Sequence, residues 1–242
     1  MSPWRARSTQ QRRHASDTHN WRRQRGSGQI LGWFRVSFRF IEPCSPVTAK
    51  SIPAGDDWLH EPKLDGYRLQ VAKHGSTVRL YSRRGHDWSK RLVALSEALR
   101  GIPAHSAVLD AELCFPGLDG APDFFRLLKT AFANQGGELA VYAFDLLHLN
   151  GQDLKPLSLI ERRERLERLL NRSKVTGLHL IEGFDNGQKL FEAVERHRLE
   201  GVVSKRRDAT YRSGECGDWV KVKTSAWHEA NRERWRLFEK AR

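Results

Sequence analysis

Short apolar runs that alternate with a period of two, separated by tight turn signals and only a few stretches of helical period, restrict this chain to a mixed α+β fold built on antiparallel strands. The clearest case is a hairpin: residues 68–73 and 77–82 alternate on either side of His74-Gly75-Ser76. Residues 106–115 and 139–149 read as buried strands, and 201–205 and 218–223 as shorter ones. Helical spacing is found in four places. Leu92, Leu95 and Leu99 lie in 90–100, with Gly101 as a stop. Ser158 followed by Glu161 makes a capping box before Leu166, Leu169 and Leu170, which predicts a helix to about Asn171. Leu190, Phe191 and Val194 share one side of 187–199, and Trp227, Trp235 and Phe238 mark an amphipathic segment over 227–240. There is no internal repeat.

At 242 residues and 39% hydrophobic, the chain is long enough for one packed domain. No run of about 18 apolar residues exists, so no membrane span is expected. The formal net charge of +13 suits a polyanionic partner, although charge alone does not identify one. Residues 1–38 differ from the rest. Arg5, Arg7, Arg12, Arg13, Arg22, Arg23 and Arg25 are among the arginines that stand there against one acid, Asp17, without a periodic pattern. This reads as a disordered basic arm. A transit peptide and a later translation start remain open alternatives. The expected division is therefore an arm over 1–38, a packed domain over 39–225, and a C-terminal helix over 226–242. Cys44, Cys114 and Cys216 have neither disulfide nor zinc spacing and read as reduced thiols.

Chemistry concentrates in Glu61-Pro62-Lys63-Leu64-Asp65-Gly66-Tyr67-Arg68, where a lysine at a strand end precedes a sharp Asp-Gly turn. Alone, Lys-x-Asp-Gly describes many ordinary surface turns. A lysine used as a nucleophile must lose its proton, yet at an ordinary pKa near 10.4 only about 0.1% is neutral at neutral pH. Neighbouring cations lower that pKa, and Arg68, Arg83, Lys221 and Lys223 are candidates to supply them. Strand alternation places Asp110 and Glu112 on one face and Leu109, Leu113 and Phe115 on the other. It likewise puts Lys221 and Lys223 side by side opposite Val220 and Val222. Two neighbouring ammonium groups call for an anion between them, and a phosphate is the economical one. Tyr211-Arg212-Ser213-Gly214 reads as a polar loop, with contact to phosphate left open.

The segment around Lys63 resembles the first motif of the covalent nucleotidyltransferases, the group of DNA ligases, RNA ligases and mRNA capping enzymes. The remaining motifs follow in order: Ser82-Arg83-Arg84-Gly85, Val108–Leu113, Tyr142–Leu147 with Asn150-Gly151, Glu200–Lys205, and Trp219–Lys223. Together they cover about residues 40–225. Their wording is most similar to bacterial ATP-dependent DNA ligases of the end-joining type. The resemblance implies an ATP-grasp-like fold of two mostly antiparallel sheets flanked by helices. It implies Lys63 as the residue that takes AMP from ATP, with Glu61, Arg68, Arg83, Glu112, Phe144, Lys221 and Lys223 around the nucleotide. In that reading Phe144 stacks on adenine, Glu61 helps to select it, and Glu112 holds the ribose. Glu112 and Glu200 would hold magnesium or manganese. Lys205 would contact phosphate or end its strand.

The implied DNA partner is a nicked or broken duplex, and the implied location is the bacterial cytoplasm, at the nucleoid. Ligases of this type continue into an oligonucleotide-binding fold, whereas 19 residues follow Lys223 here. No such domain is expected in this sequence. A separate OB-fold or end-joining repair protein could supply it. Sealing of preadenylated nicks only, an RNA ligase or capping enzyme, and a non-catalytic DNA-binding subunit are the competing readings.

Overall fold

The alternating runs do form strands close to the expected lengths, except that the one expected over 218–223 begins four residues earlier, at Gly214. A computed structural model describes residues 40–115 and 139–229. The proposed arm over 1–38 and most of the proposed terminal helix lie outside the described residues; 225–229 are helical. Among the described residues the strands are β1 (Cys44–Thr48), β2 (Trp58–Lys63), β3 (Tyr67–His74), β4 (Thr77–Ser82), β5 (Ser106–Cys114), β6 (Ala140–Leu149), β7 (Gln152–Asp153), β8 (Leu178–Leu180), β9 (Gly201–Arg206) and β10 (Gly214–Lys223). The α-helices are α1 (Val93–Ala98), α2 (Leu159–Asn171) and α3 (Gly187–Arg196).

The strands form a four-stranded sheet in the order β1-β10-β9-β2 and a six-stranded sheet in the order β4-β3-β5-β6-β7, with β8 added beside β6. All pairings are antiparallel except β1 with β10 and β8 with β6. The expected class, α+β with mostly antiparallel sheets and flanking helices, is what is found.

Side-chain parity builds the layers. Leu69 and Val71 of β3 and Leu109, Ala111 and Leu113 of β5 face one core, shared with Leu95 of α1 and Leu166 and Leu169 of α2. Their opposite faces, through Ala72 and Val108, meet Cys44, Cys216 and Trp219 of the other sheet. A third cluster, Leu190, Val194 and Val202, seats α3 on the four-stranded sheet. The order is thus helices, six-stranded sheet, four-stranded sheet, helix. The three cysteines are free and buried.

The capping box at α2 is present: Glu161 N–H donates to Ser158 Oγ at 3.4 Å, and Ser158 N–H to Glu161 Oε2 at 3.0 Å. Two predicted helices are shorter than their patterns. The helix expected over 90–100 starts only at Val93 with no side-chain cap, and tightens into a 3-10 turn at Leu99–Gly101. That expected over 187–199 ends at Arg196, two residues before Arg198 takes φ of 56°. Its start is fixed by Asn186, whose side chain accepts from Lys189 N–H at 2.9 Å.

Candidate active site

The site grows from the register of three strands. Lys63 pairs with Gly201, and Gly201 with Lys223. One step along, Glu61, Val203 and Lys221 stand in a row, and beyond them Leu59, Lys205 and Trp219. Residues two apart share a face, so these three rows make one floor. Across from it, the six-stranded sheet contributes Arg68, Glu112 and Phe144. Between them lies a cavity of about 870 Å³ lined by Glu61, Lys63, Arg68, Arg83, Glu112, Phe144, Glu200, Lys221 and Lys223, among others. Every site residue expected from sequence is therefore in one pocket wall, as is Lys205.

Two glycines make this geometry possible. A Cβ on Gly66 would stand 2.4 Å from Leu113 O and 2.9 Å from Glu112 Cγ. Only glycine lets the turn after Lys63 press against β5. A Cβ on Gly201 would meet Val222 O at 2.1 Å. Its bare backbone also leaves the space between Lys63 and Lys223 clear of any side chain.

Into that neighbourhood comes Glu200. Its Oε2 accepts from Lys63 Nζ at 2.6 Å, while its Oε1 pairs with Lys223 Nζ at 2.9 Å. Lys223 Nζ also lies 3.2 Å from the centroid of Trp227. The anion beside Lys223 in this structure is a protein carboxylate, shared with Lys63 and not with Lys221. The reason is topological: β9 brings Glu200 between two lysines that are far from it in sequence. Lys221 has no ion-pair partner among the described residues. Its pKa is lowered, first by burial and then by Lys63, Lys223 and Arg83. It is the cation best placed to welcome an anion.

Glu112 is half-buried, and its carboxyl is pushed up to about 7, first by burial and then by Glu200 and Asp110, against Lys63 and Arg68. Asp110, on the same strand face, is not in the pocket. Arg68 grips it through Nε and Nη2, both at 2.6 Å, and Tyr211 Oη donates to it at 2.6 Å. Arg68 is therefore a neutralised wall residue and not a loose cation beside Lys63. Tyr211 lies in a loop as expected, but its side chain is buried between the sheets; its hydroxyl also accepts from Cys44 N–H at 2.9 Å.

Phe144 is the residue skipped in the register where Asp110 pairs with Asp145 and Ala111 with Ala143. This β-bulge resets the strand phase, so Phe144 lines the pocket while Asp145 turns to α2. Arg68 Cζ lies 4.7 Å and Lys205 Nζ 4.3 Å from the Phe144 ring centroid. Lys205, expected to touch phosphate or simply end its strand, is buried and ion-paired with Glu61 Oε2 at 2.5 Å.

Two residues escaped sequence reasoning. Arg162 is fully buried and binds Asp145 through Nε at 2.8 Å and Nη2 at 2.9 Å. Arg163 donates to Glu61 and to Ile181 O, the latter at 2.7 Å. A signal existed: Leu159, Arg162, Leu166 and Leu169 share one helical stripe, so an arginine stood at a core position.

A lysine amine, two acids and a set of cations in a cleft between two sheets define a nucleotidyltransferase-type domain. Comparison with known proteins agrees. The family model described as "ATP dependent DNA ligase domain" matches residues 43–223. The chain belongs to the ATP-dependent DNA ligase domain family.

The multifunctional non-homologous end joining protein LigD of Pseudomonas aeruginosa is 39% identical over 173 residues, 71% of this chain and 20% of that protein. The solved ligase domain of Mycobacterium tuberculosis LigD superposes with a TM-score of 0.63 at 34% identity, covering 75% of this chain and 60% of that one. A mycobacterial DNA ligase D structure complexed with ATP and MES gives 0.60 at 34% identity, covering 75% and 59%. The chain thus spans about a fifth of the length of the multifunctional relative.

Proposed function

We propose that this domain carries the nucleotidyl-transfer chemistry of an ATP-dependent DNA ligase, with Lys63 as nucleophile. One observation carries the reading. Lys63 Nζ lies in a pocket with Glu112, Phe144, Lys221 and Lys223, held 2.6 Å from Glu200. Lys63 attacks the α-phosphorus of ATP; an N–P bond forms, the bond to the β-phosphate oxygen breaks, and pyrophosphate leaves. The ammonium loses one proton to become the neutral amine and a second as the N–P bond forms, both passing to water, and the phosphoramidate nitrogen keeps one N–H. AMP then passes to the 5′-phosphate of a nick, and the 3′-hydroxyl displaces it to seal the strand.

Lys63 cannot attack as the ammonium that pairs with Glu200, so a proton must leave it, and a bound triphosphate would loosen that contact. Lys221, unpaired among the described residues, would receive the phosphates; Lys223 would join it once Glu200 is drawn away. Glu61 would meet the adenine edge, Phe144 its face, and Glu112 the ribose hydroxyls. Arg68 would brace that wall through Asp110.

Magnesium or manganese fits this donor set. Among the described residues no group of three metal-ligating side chains exists. A magnesium ion needs only one or two carboxylates besides substrate phosphates, and Glu112 and Glu200 provide two. Bound there, it would neutralise charge on the triphosphate.

Arg83, Arg84 and His86, with Tyr67 and Trp88, line the outer part of the cavity. Cations interleaved with aromatic rings suit a nucleic-acid strand, and nicked duplex DNA is the proposed second substrate. Its proposed protein partner is a DNA-gripping module of the oligonucleotide-binding or end-joining class. The proposed location is the bacterial cytoplasm, at the nucleoid. No helix among the described residues is long and apolar enough to cross a membrane.

Incubation with α-labelled ATP, or GTP as control, followed by a denaturing gel tests the first step. A Lys63-dependent adenylate is expected. An adduct that persists in Lys63→Ala removes the proposal.

A further inference from the structure

We infer that Arg163 is a positioning residue that sets purine selectivity by fixing Glu61 in the pocket wall, an inference that rests on the nucleotide-binding reading above. Arg163 projects from α2 with its side chain only 11% exposed. Its guanidinium donates to Glu61 Oε1 and to Ile181 O at 2.7 Å, and reaches Phe144 O at 3.5 Å. Arg163 does not line the cavity, but Glu61, Phe144 and Ile181 all do. They come from β2, β6 and the segment after β8, so one planar group ties together three walls that belong to both sheets.

The next residue makes the contrast plain. Arg162 gives its donors to Asp145, Leu157 O and Ala209 O, none of which lines the pocket.

The chemistry follows from how Glu61 is held. Arg163 occupies one oxygen, and Lys205 Nζ lies 2.5 Å from the other. Held from both sides, the carboxylate cannot swing, yet each oxygen retains an accepting lone pair. A ligand edge placed against it must offer an N–H. Adenine offers its 6-amino group there. A 6-oxo purine offers an oxygen, and two acceptors repel. Sites built around such a hydrogen bond reject the analogue that lacks the donor far better than apolar pockets reject an extra group. If Arg163 is removed, Glu61 is free to turn toward Lys205 alone, and the discrimination relaxes.

The test separates this role from the covalent step. Calorimetric titration of ATP and inosine triphosphate into Lys63→Ala, which cannot react, gives the parent preference. The same titrations follow with Arg163→Met or Arg163→Lys added. Arg163→Met is expected to reduce the preference for ATP about tenfold, mainly by weakening ATP. Arg163→Lys, which keeps a charge beside Glu61, should restore part of it. With Lys63 intact, Arg163→Met should raise KM for ATP in self-adenylation and alter kcat less than about threefold.

The inference is overturned by an unchanged preference, or by a parent that binds both nucleotides alike. It is equally overturned if both nucleotides weaken together with a lower Tm and no recovery in Arg163→Lys, since that is a purely structural role. Selective ATP binding without a Lys63 adduct would instead sink the proposed catalysis and leave Arg163's role standing.

Discussion

Two charge clusters in this domain use the same ingredients to opposite ends. Behind the pocket, Asp145 and Arg162 meet through two parallel hydrogen bonds, both side chains wholly inaccessible, with main-chain carbonyls accepting from Arg162 Nη1. In the pocket, Glu200 is shared by Lys63 and Lys223, whose side chains stay 23% and 22% exposed. The first is a planar fork in a closed site, where neither charge has anywhere else to go. The second pairs flexible ammonium groups with an acid that can be drawn away by an incoming triphosphate. Burial and valence thus separate a strut from a working part; the presence of an ion pair does not.

The comparison breaks first at the closed cluster. Arg162→Leu should lower unfolding free energy by about 3–5 kcal/mol, because Asp145 is left charged and buried; urea unfolding reads it, and a change within experimental scatter would mean that the two clusters are alike. At the open cluster, Glu200→Gln should cut the single-turnover adenylation rate by about a hundredfold while costing less stability than Arg162→Leu, because the two lysines it leaves are partly exposed. A large stability loss there, with adenylation intact, would make Glu200 another strut.

Replacing both members of the closed pair sharpens the distinction. Asp145→Leu with Arg162→Met should recover at least about 1 kcal/mol relative to Arg162→Leu alone, since no orphan charge remains.

The smallest effect is a pH slope. His60 is buried with its Nδ1 2.8 Å from Ser204 Oγ. Its pKa is lowered from 6.5 by burial and by Arg207, against Asp185. His148 is lowered likewise by burial and by His74, against Asp153. At these two sites the folded state binds fewer protons than the unfolded chain, whereas Glu112, held up at about 7, binds more. The histidine contribution should be full above 6.5 and fall as pH drops below it toward the folded pKa values, and the Glu112 contribution runs the other way, lost as pH rises toward 7. Unfolding midpoints of Glu112→Gln measured between about pH 5 and 7.5 should therefore show the histidine slope, and adding His60→Gln should flatten part of it.

Much of the site was legible before any fold was known. Glu112, Lys221 and Lys223 could be placed because strand parity assigns a face to each, and Lys63 because its segment resembles a family motif; the pocket wall contains them all. Ser158 and Glu161 announced the start of α2 through local hydrogen bonding alone. The misses share a cause. β1 (Cys44–Thr48) carries a proline, has no clear alternation and is completed only by a parallel neighbour from the far end of the domain. Tyr211 does sit in the expected loop, but its burial was hidden because its partners, Asp110 and Cys44, are 101 and 167 positions away. The bulge at Phe144 breaks the very period on which a sequence reading depends.

The order of residues determined which side chains share a strand face, where α2 begins and where glycine must stand, because these follow from the backbone's own period and from contacts a few residues apart. Only tertiary structure decided which acid meets which base. Glu61 and Glu200 are the same residue type near strands of the same sheet. One is clamped by Arg163 and Lys205, and the other is left open between Lys63 and Lys223. Electrostatic pairing depends on distance and burial in three dimensions, and the packing of α2 and of one sheet on the other sets both.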